Sequence, residues 1–98
     1  MVNSMKVRAK VTFSGRVQGV WFRANTRRFA VENGHVTGWV KNMPDRSVMA
    51  LFEGKKADIL RVISSCVHDQ PYAKVTNHEV IWEKYTGEFK GFSINYRG

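Results

Sequence analysis

The stretch Val7-Arg8-Ala9-Lys10-Val11-Thr12-Phe13-Ser14-Gly15-Arg16-Val17-Gln18-Gly19-Val20-Trp21-Phe22-Arg23 changes its hydrophobic period once, and that change sets the reading of the chain. Val7, Ala9, Val11 and Phe13 alternate with Arg8, Lys10 and Thr12, the period that makes one face of a strand apolar and the other polar. From Phe22 the spacing opens to Phe22, Thr26, Phe29 and Ala30, a helical stripe that stops at Asn33-Gly34, where Gly34 suits a left-handed cap. A strand, a glycine-bounded loop and a helix therefore open the chain.

Reading outward, His35 to Asn42 and Ser47 to Glu53 are short runs rich in Val, Thr, Trp and Phe. They flank Met43-Pro44-Asp45-Arg46, whose proline and aspartate favour a turn, so the segment predicts a hairpin. After Glu53-Gly54, Ile59, Leu60, Ile63, Cys66 and Val67 fall on one helical face, with Asp58 near the start to complement the helix dipole. Pro71 ends this second helix. Val75 to Tyr85, with Phe92, Ile94 and Tyr96, supplies strand material around the turn-like Thr86-Gly87-Glu88. The predicted order is β-α-β-β-α-β, with room for a short extra strand. That order fits an α+β ferredoxin-like sandwich, two helices covering one face of an antiparallel sheet. Neither repeat nor linker interrupts it, and residues 1–98 read as a single domain.

Sixteen Lys and Arg against eight Asp and Glu leave a formal net charge of +8, a positive field that attracts anions. Charge alone does not distinguish a nucleic acid from a small phosphorylated metabolite. The lone Cys66 excludes an internal disulfide, and the chain has no CxxC pair or HExxH motif, so neither a metal nor another cofactor is expected. No run approaches the roughly 18 apolar residues of a membrane span. The start Met1-Val2-Asn3-Ser4-Met5-Lys6 lacks the apolar stretch of a secretory signal. The expectation is a soluble, cytoplasmic protein with no membrane partner.

Placement must decide which anion is bound. Gly15 and Gly19 bound a turn in which positive φ lets successive backbone N–H groups point into one concavity, and the helix beginning near Phe22 adds its positive end. Arg23, in the first helical turn, can fork two N–H donors onto phosphate oxygens in a geometry lysine cannot copy. On spacing alone a second reading stands equally: two glycines simply turn a strand into a helix, and Arg23 is a solvated charge. A Walker A loop is excluded, because Gly15-x-x-x-Gly19 lacks the longer spacing and the Lys-Ser or Lys-Thr that follows it.

Gly15-Arg16-Val17-Gln18-Gly19-Val20-x-Phe22-Arg23 resembles the signature of the acylphosphatase family, and Gly38-Trp39-Val40-Lys41-Asn42 resembles the family's second signature. The likeness continues through Glu53-Gly54, Pro71-x-Ala73-x-Val75 and Phe92-x-Ile94-x-Tyr96, and so covers nearly the whole chain. It implies a ferredoxin-like fold and metal-free hydrolysis of small acyl phosphates to carboxylate and inorganic phosphate by a monomer. It also implies site roles: Arg23 binds the phosphate and Asn42 orients the attacking water. The loop through Gly15, Gln18, Gly19, Val20, Trp21 and Phe22 offers amide donors. The chemistry is consistent, since a carboxylate leaving group of pKa about 4 needs no general acid. Two positions depart from the family pattern: Arg46 and Gln70 stand where relatives often carry glycine. A positive φ at Arg46 would cost roughly 1 kcal/mol.

Other polar residues read as structural. His35, His68 and His78 are scattered, and Asp45, Asp58 and Glu53 fit a turn, a helix start and a strand end. Without the motif, Asn42 reads as a turn-former. Phe22 and Trp39 read as core, whereas Trp21 either packs under the loop or lines the mouth for an acyl group. A competing function is single-strand nucleic-acid binding, because Lys90-Gly91-Phe92-Ser93-Ile94-Asn95-Tyr96 partly echoes an RNA-recognition strand. That motif belongs to a third strand before the second helix, so its place at the end of this chain argues against nucleic acid as a partner.

Overall fold

The computed structural model describes residues 5–96; Met1-Val2-Asn3-Ser4, part of the start read above for a missing signal, lies outside them. The elements run β1 (Lys6–Arg16), α1 (Phe22–Asn33), β2 (Thr37–Asn42), β3 (Val48–Lys55), α2 (Lys56–His68), β4 (Lys74–Lys84) and β5 (Phe92–Asn95). The sheet order is β4-β1-β3-β2-β5. β1 pairs antiparallel with β3 and β4, and β2 antiparallel with β3. The expected two-helix ferredoxin-like sandwich is present, and the extra strand is β5. It pairs parallel with β2, Gly38 opposite Phe92 and Val40 opposite Ile94, so the sheet is mixed rather than wholly antiparallel. The reason is topological: the chain crosses from β4 at one edge to the other edge, and arrives beside β2 running the same way.

Strand parity builds the core. Ala9, Val11 and Phe13 of β1 lie opposite Phe52, Ala50 and Val48 of β3, and all six are fully buried in the cluster that receives the helices. Phe13 meets Phe22 of α1 at 5.0 Å between ring centroids, and Phe52 stacks on Phe92 at 5.6 Å. α1 buries Phe22, Thr26 and Ala30 and ends at Gly34, whose φ of 85° and N–H bond to the Ala30 carbonyl make the predicted left-handed cap. α2 buries Ile59, Val62, Ile63 and Cys66. Leu60, expected on that face, is exposed, and Val62 replaces it because the 3.6-residue turn carries the stripe through 59, 62, 63 and 66. Burial pushes the Cys66 thiol up to about 12, against the opposing bond from its Sγ to Thr26 Oγ1. Among the described residues no helix is long and apolar enough to cross a membrane.

Trp39 was expected in the core but stands half-exposed on the other face of the sheet, with the Lys41 ammonium 5.2 Å from its ring. Gly38 and Val40 take the helix side of β2, opposite Phe52 and Ala50, and alternation turns Trp39 away. Gly38 has φ 136°, and a Cβ there would run into the Leu51 carbonyl oxygen of β3. Arg46 adopts positive φ, 77°, so the strain considered at that position is present. Gln70 is buried, accepting from Asn25 and donating to the Cys66 carbonyl.

Glu53, read as a strand-end residue, is a fully buried carboxylate on that same outer face. One oxygen accepts from Arg8 Nε at 2.7 Å and from the N–H and hydroxyl of Thr86; the other accepts from the Gly87 N–H. Burial pushes its pKa up, but the Thr86 N–H, the Arg8 guanidinium, the Thr86 hydroxyl and the Gly87 N–H together hold it below the ordinary carboxylate value. These bonds pin the loop between β4 and β5 across the sheet. Because the folded pKa lies below the unfolded one, the stabilisation is complete above the ordinary carboxylate pKa and drains away as pH falls through the folded value. Glu53→Gln, which leaves Arg8 without its buried partner, should lose on the order of 2 kcal/mol at pH 7. In denaturant melts the gap between parent and variant should close as pH falls below about 4; a gap independent of pH would show that Glu53 is not held ionised.

Candidate active site

β1 delivers the chain to the loop through a bulge between Ser14 and Gly15 against β4. Gly15 has φ 117°, and a Cβ there would strike the Lys74 carbonyl oxygen, so the loop starts at a backbone contact that only glycine permits. Gly19 also has positive φ, 74°, with open space around it, so its requirement is conformational and not steric. The Gln18 side chain turns away from the loop and donates to the carbonyls of Met43 and Ser47, both at 2.9 Å. It thereby ties the loop to the turn that follows Asn42.

Trp21 precedes α1 with φ 66° and ψ 17°, the left-handed region that costs an L-residue about 1–2 kcal/mol. It makes no side-chain cap bond, and no acidic residue occupies the first turn of α1. The N–H groups at that end, with their share of the helix dipole, therefore face no internal anion among the described residues.

A cavity of about 330 Å³ opens at this point, lined by Val17, Gly19, Trp21, Phe22, Arg23, Ala24, Asn42, Ile94 and Tyr96. Of the expected site residues it gathers Gly19, Trp21, Phe22, Arg23 and Asn42; Gly15, Gln18 and Val20 shape the loop without lining it. Among the described residues Arg23 is the only charged one of the lining. Its guanidinium carbon lies 4.9 Å from the centre of the Tyr96 ring, and among the described residues it forms no salt bridge. A neutral π face thus orients the cation without cancelling its charge. Asn42 closes β2 on the helix side of the sheet, two residues beyond Val40. Its Oδ1 is buried and, among the described residues, has no hydrogen-bond partner. An orphan acceptor of this kind costs about 1–3 kcal/mol, which a donor entering the cavity would recover.

Sequence reasoning did not assign Val17, Ala24, Ile94 and Tyr96 to the site. Alternation signalled that Ile94 shares a face with Phe92, but only the parallel pairing of β5 with β2 brings that face beside Asn42. Tyr96, read with Phe92 and Ile94 as strand material, lies one residue beyond the end of β5, and its alternation with them did not say what it would face. Among the described residues no three His, Cys, Asp or Glu side chains gather as a metal-binding group. The arrangement can hold a tetrahedral anion against a cation and unbonded helix N–H groups, with an amide oxygen beside it.

The acylphosphatase family model matches residues 9–94. The chain is 52% identical over 85 residues to the acylphosphatase of Thermoplasma volcanium, spanning 87% of this chain and 92% of that one. It is 44% identical over 91 residues to the acylphosphatase of Pelotomaculum thermopropionicum, spanning 93% and 98%. The crystal structure of acylphosphatase from Bacillus subtilis shares the fold with a TM-score of 0.86 at 31% identity, over 92% of this chain and 99% of that one. The matched residues span both the glycine-bounded loop and the hairpin, two segments that contribute to the cavity, and the chain belongs to the acylphosphatase family, whose hydrolysis of acyl phosphates it shares.

Proposed function

We propose that Arg23 and the backbone N–H groups from Gln18 to Arg23 hold the phosphoryl group of a small acyl phosphate while Asn42 orients the attacking water. The observation that carries this reading is the buried, unpartnered Oδ1 of Asn42 in the cavity that also holds the Arg23 guanidinium. Oδ1 accepts a water O–H and aims the water's lone pair at phosphorus. The P–O bond to the acyl group breaks, its electron pair leaving on the carboxylate, and the water's proton passes to a phosphoryl oxygen. Carboxylate and inorganic phosphate result. A loose phosphoryl transfer asks mainly for positioning and charge stabilisation, which Arg23 and the helix end supply, so no metal and no catalytic carboxylate is required. The same reading takes residues 1–98 as one domain acting as a cytoplasmic monomer.

Substitution separates the two residues. Arg23 meets charge in ground and transition states alike, so Arg23→Ala should weaken competitive inhibition by phosphate and cut turnover by at least about 10²-fold. Asn42→Ala should cut turnover while leaving the phosphate inhibition constant nearly unchanged. A folded Asn42→Ala enzyme with full turnover, or a folded Arg23→Ala enzyme that binds phosphate normally, would remove the corresponding role.

Chelator and substrate class test the chemistry. Hydrolysis of benzoyl or acetyl phosphate should be unchanged by EDTA, and alkyl phosphate monoesters should be almost untouched, since their alkoxides need a general acid to leave. Activity lost to EDTA and restored by Mg²⁺, or equal rates on both substrate classes, would overturn the mechanism.

A further inference from the structure

Trp21 is a residue of the cavity that the fold does not need. Its backbone is left-handed, the residue is 73% exposed, and it stacks on no other aromatic ring among the described residues. Its side chain caps nothing. Backbone strain of this kind persists where a site uses the residue it displays.

What the ring faces is defined by the rest of the lining. Arg23 and Asn42 form the polar end, while Val17, Phe22 and Ile94 are apolar. Tyr96, 77% exposed, shares the rim with Trp21. A phosphate group of five heavy atoms, at roughly 30 Å³ for each water-sized group, fills under half of the cavity's 330 Å³. The remainder is walled by rings and aliphatic side chains. A planar apolar group there would bury its faces on Trp21, whereas a methyl group would leave the ring wet and a carbamoyl group would bring polar N–H groups against largely apolar walls.

We propose that Trp21 sets the acyl specificity, packing its ring on the acyl part of the substrate beside Tyr96 and Ile94, and that this chain thereby favours aryl and other planar apolar acyl phosphates over acetyl or carbamoyl phosphate. The proposal rests on the phosphate placement given above. It adds a contact at the opposite end of the substrate, made by a side chain and not by the loop amides.

The test is the ratio of kcat/KM for benzoyl phosphate to that for acetyl phosphate, measured in the parent, in Trp21→Phe and in Trp21→Asn, asparagine being a residue that tolerates left-handed backbone. Damage to the phosphate loop slows both substrates and cancels in the ratio. The ratio should fall about tenfold in Trp21→Asn and stay within about twofold of the parent in Trp21→Phe. If Trp21→Asn does not fold, Trp21→Gly, for which positive φ is unstrained, replaces it with the same expectation. A folded variant without the ring whose ratio matches the parent overturns the proposal. So does a phosphate inhibition constant that rises as much as the KM for benzoyl phosphate, because phosphate has no acyl group to lose contact with. Failure of the underlying placement is read separately: Arg23→Ala with normal phosphate inhibition overturns the loop assignment whatever the ratio does.

Discussion

The two hydrogen bonds from the Gln18 amide to the carbonyls of Met43 and Ser47 hold together the halves of the active site. β1, which leads into the glycine-bounded loop, and β2, which ends at Asn42, are not neighbours; β3 lies between them. Sheet hydrogen bonds alone therefore set the loop and Asn42 only through an intervening strand. The Gln18 side chain removes that slack by bonding directly to both sides of the turn after β2. Each bond is worth only about 1 kcal/mol net, but together they bring the loop and the end of β2 to one cavity.

Charge is sorted between the two faces of the sheet. On the outer face the Arg8 guanidinium is neutralised by the buried Glu53 carboxylate and by Glu88. In the cavity Arg23 meets a tyrosine ring, and among the described residues no carboxylate lines the walls. The outer pair fastens the loop that carries the chain from β4 to β5. That loop delivers Ile94 and Tyr96 to the rim, so an ion pair far from the chemistry supports the walls of the site. Among the described residues Arg23 has no acidic partner, and a cation oriented by π electrons keeps its N–H donors free for an anion, as the proposed phosphate-binding role requires.

Strain is concentrated in the same way. Gly15 and Gly19 take their positive φ without cost, while Trp21 does so against its own Cβ at the point where α1 begins. The one other non-glycine residue with positive φ among the described residues, Arg46, lies in the hairpin turn beside the Gln18 acceptors. Its strain belongs to the turn: Asp45 accepts from the Ser47 N–H and hydroxyl, and those bonds hold the turn closed.

Local periodicity was sufficient for the element order, the glycine caps, the hairpin and the core face of β1, because alternation and helical stripes are set by backbone geometry alone. Two motifs in order were sufficient for the family, and they named the loop and Asn42. Other features depended on which strands become neighbours. Trp39 faces outward because Gly38 must lie against β3, and Leu60 yields to Val62 because one stripe alone meets the sheet. Glu53 is buried only because a distant loop folds over it, and Tyr96 reaches Arg23 only because β5 runs parallel to β2. The sequence by itself determined the elements, the family and which residues are candidates for the chemistry; tertiary structure alone decided which of them share a cavity and what walls surround them, since long-range pairing leaves no period in a single chain.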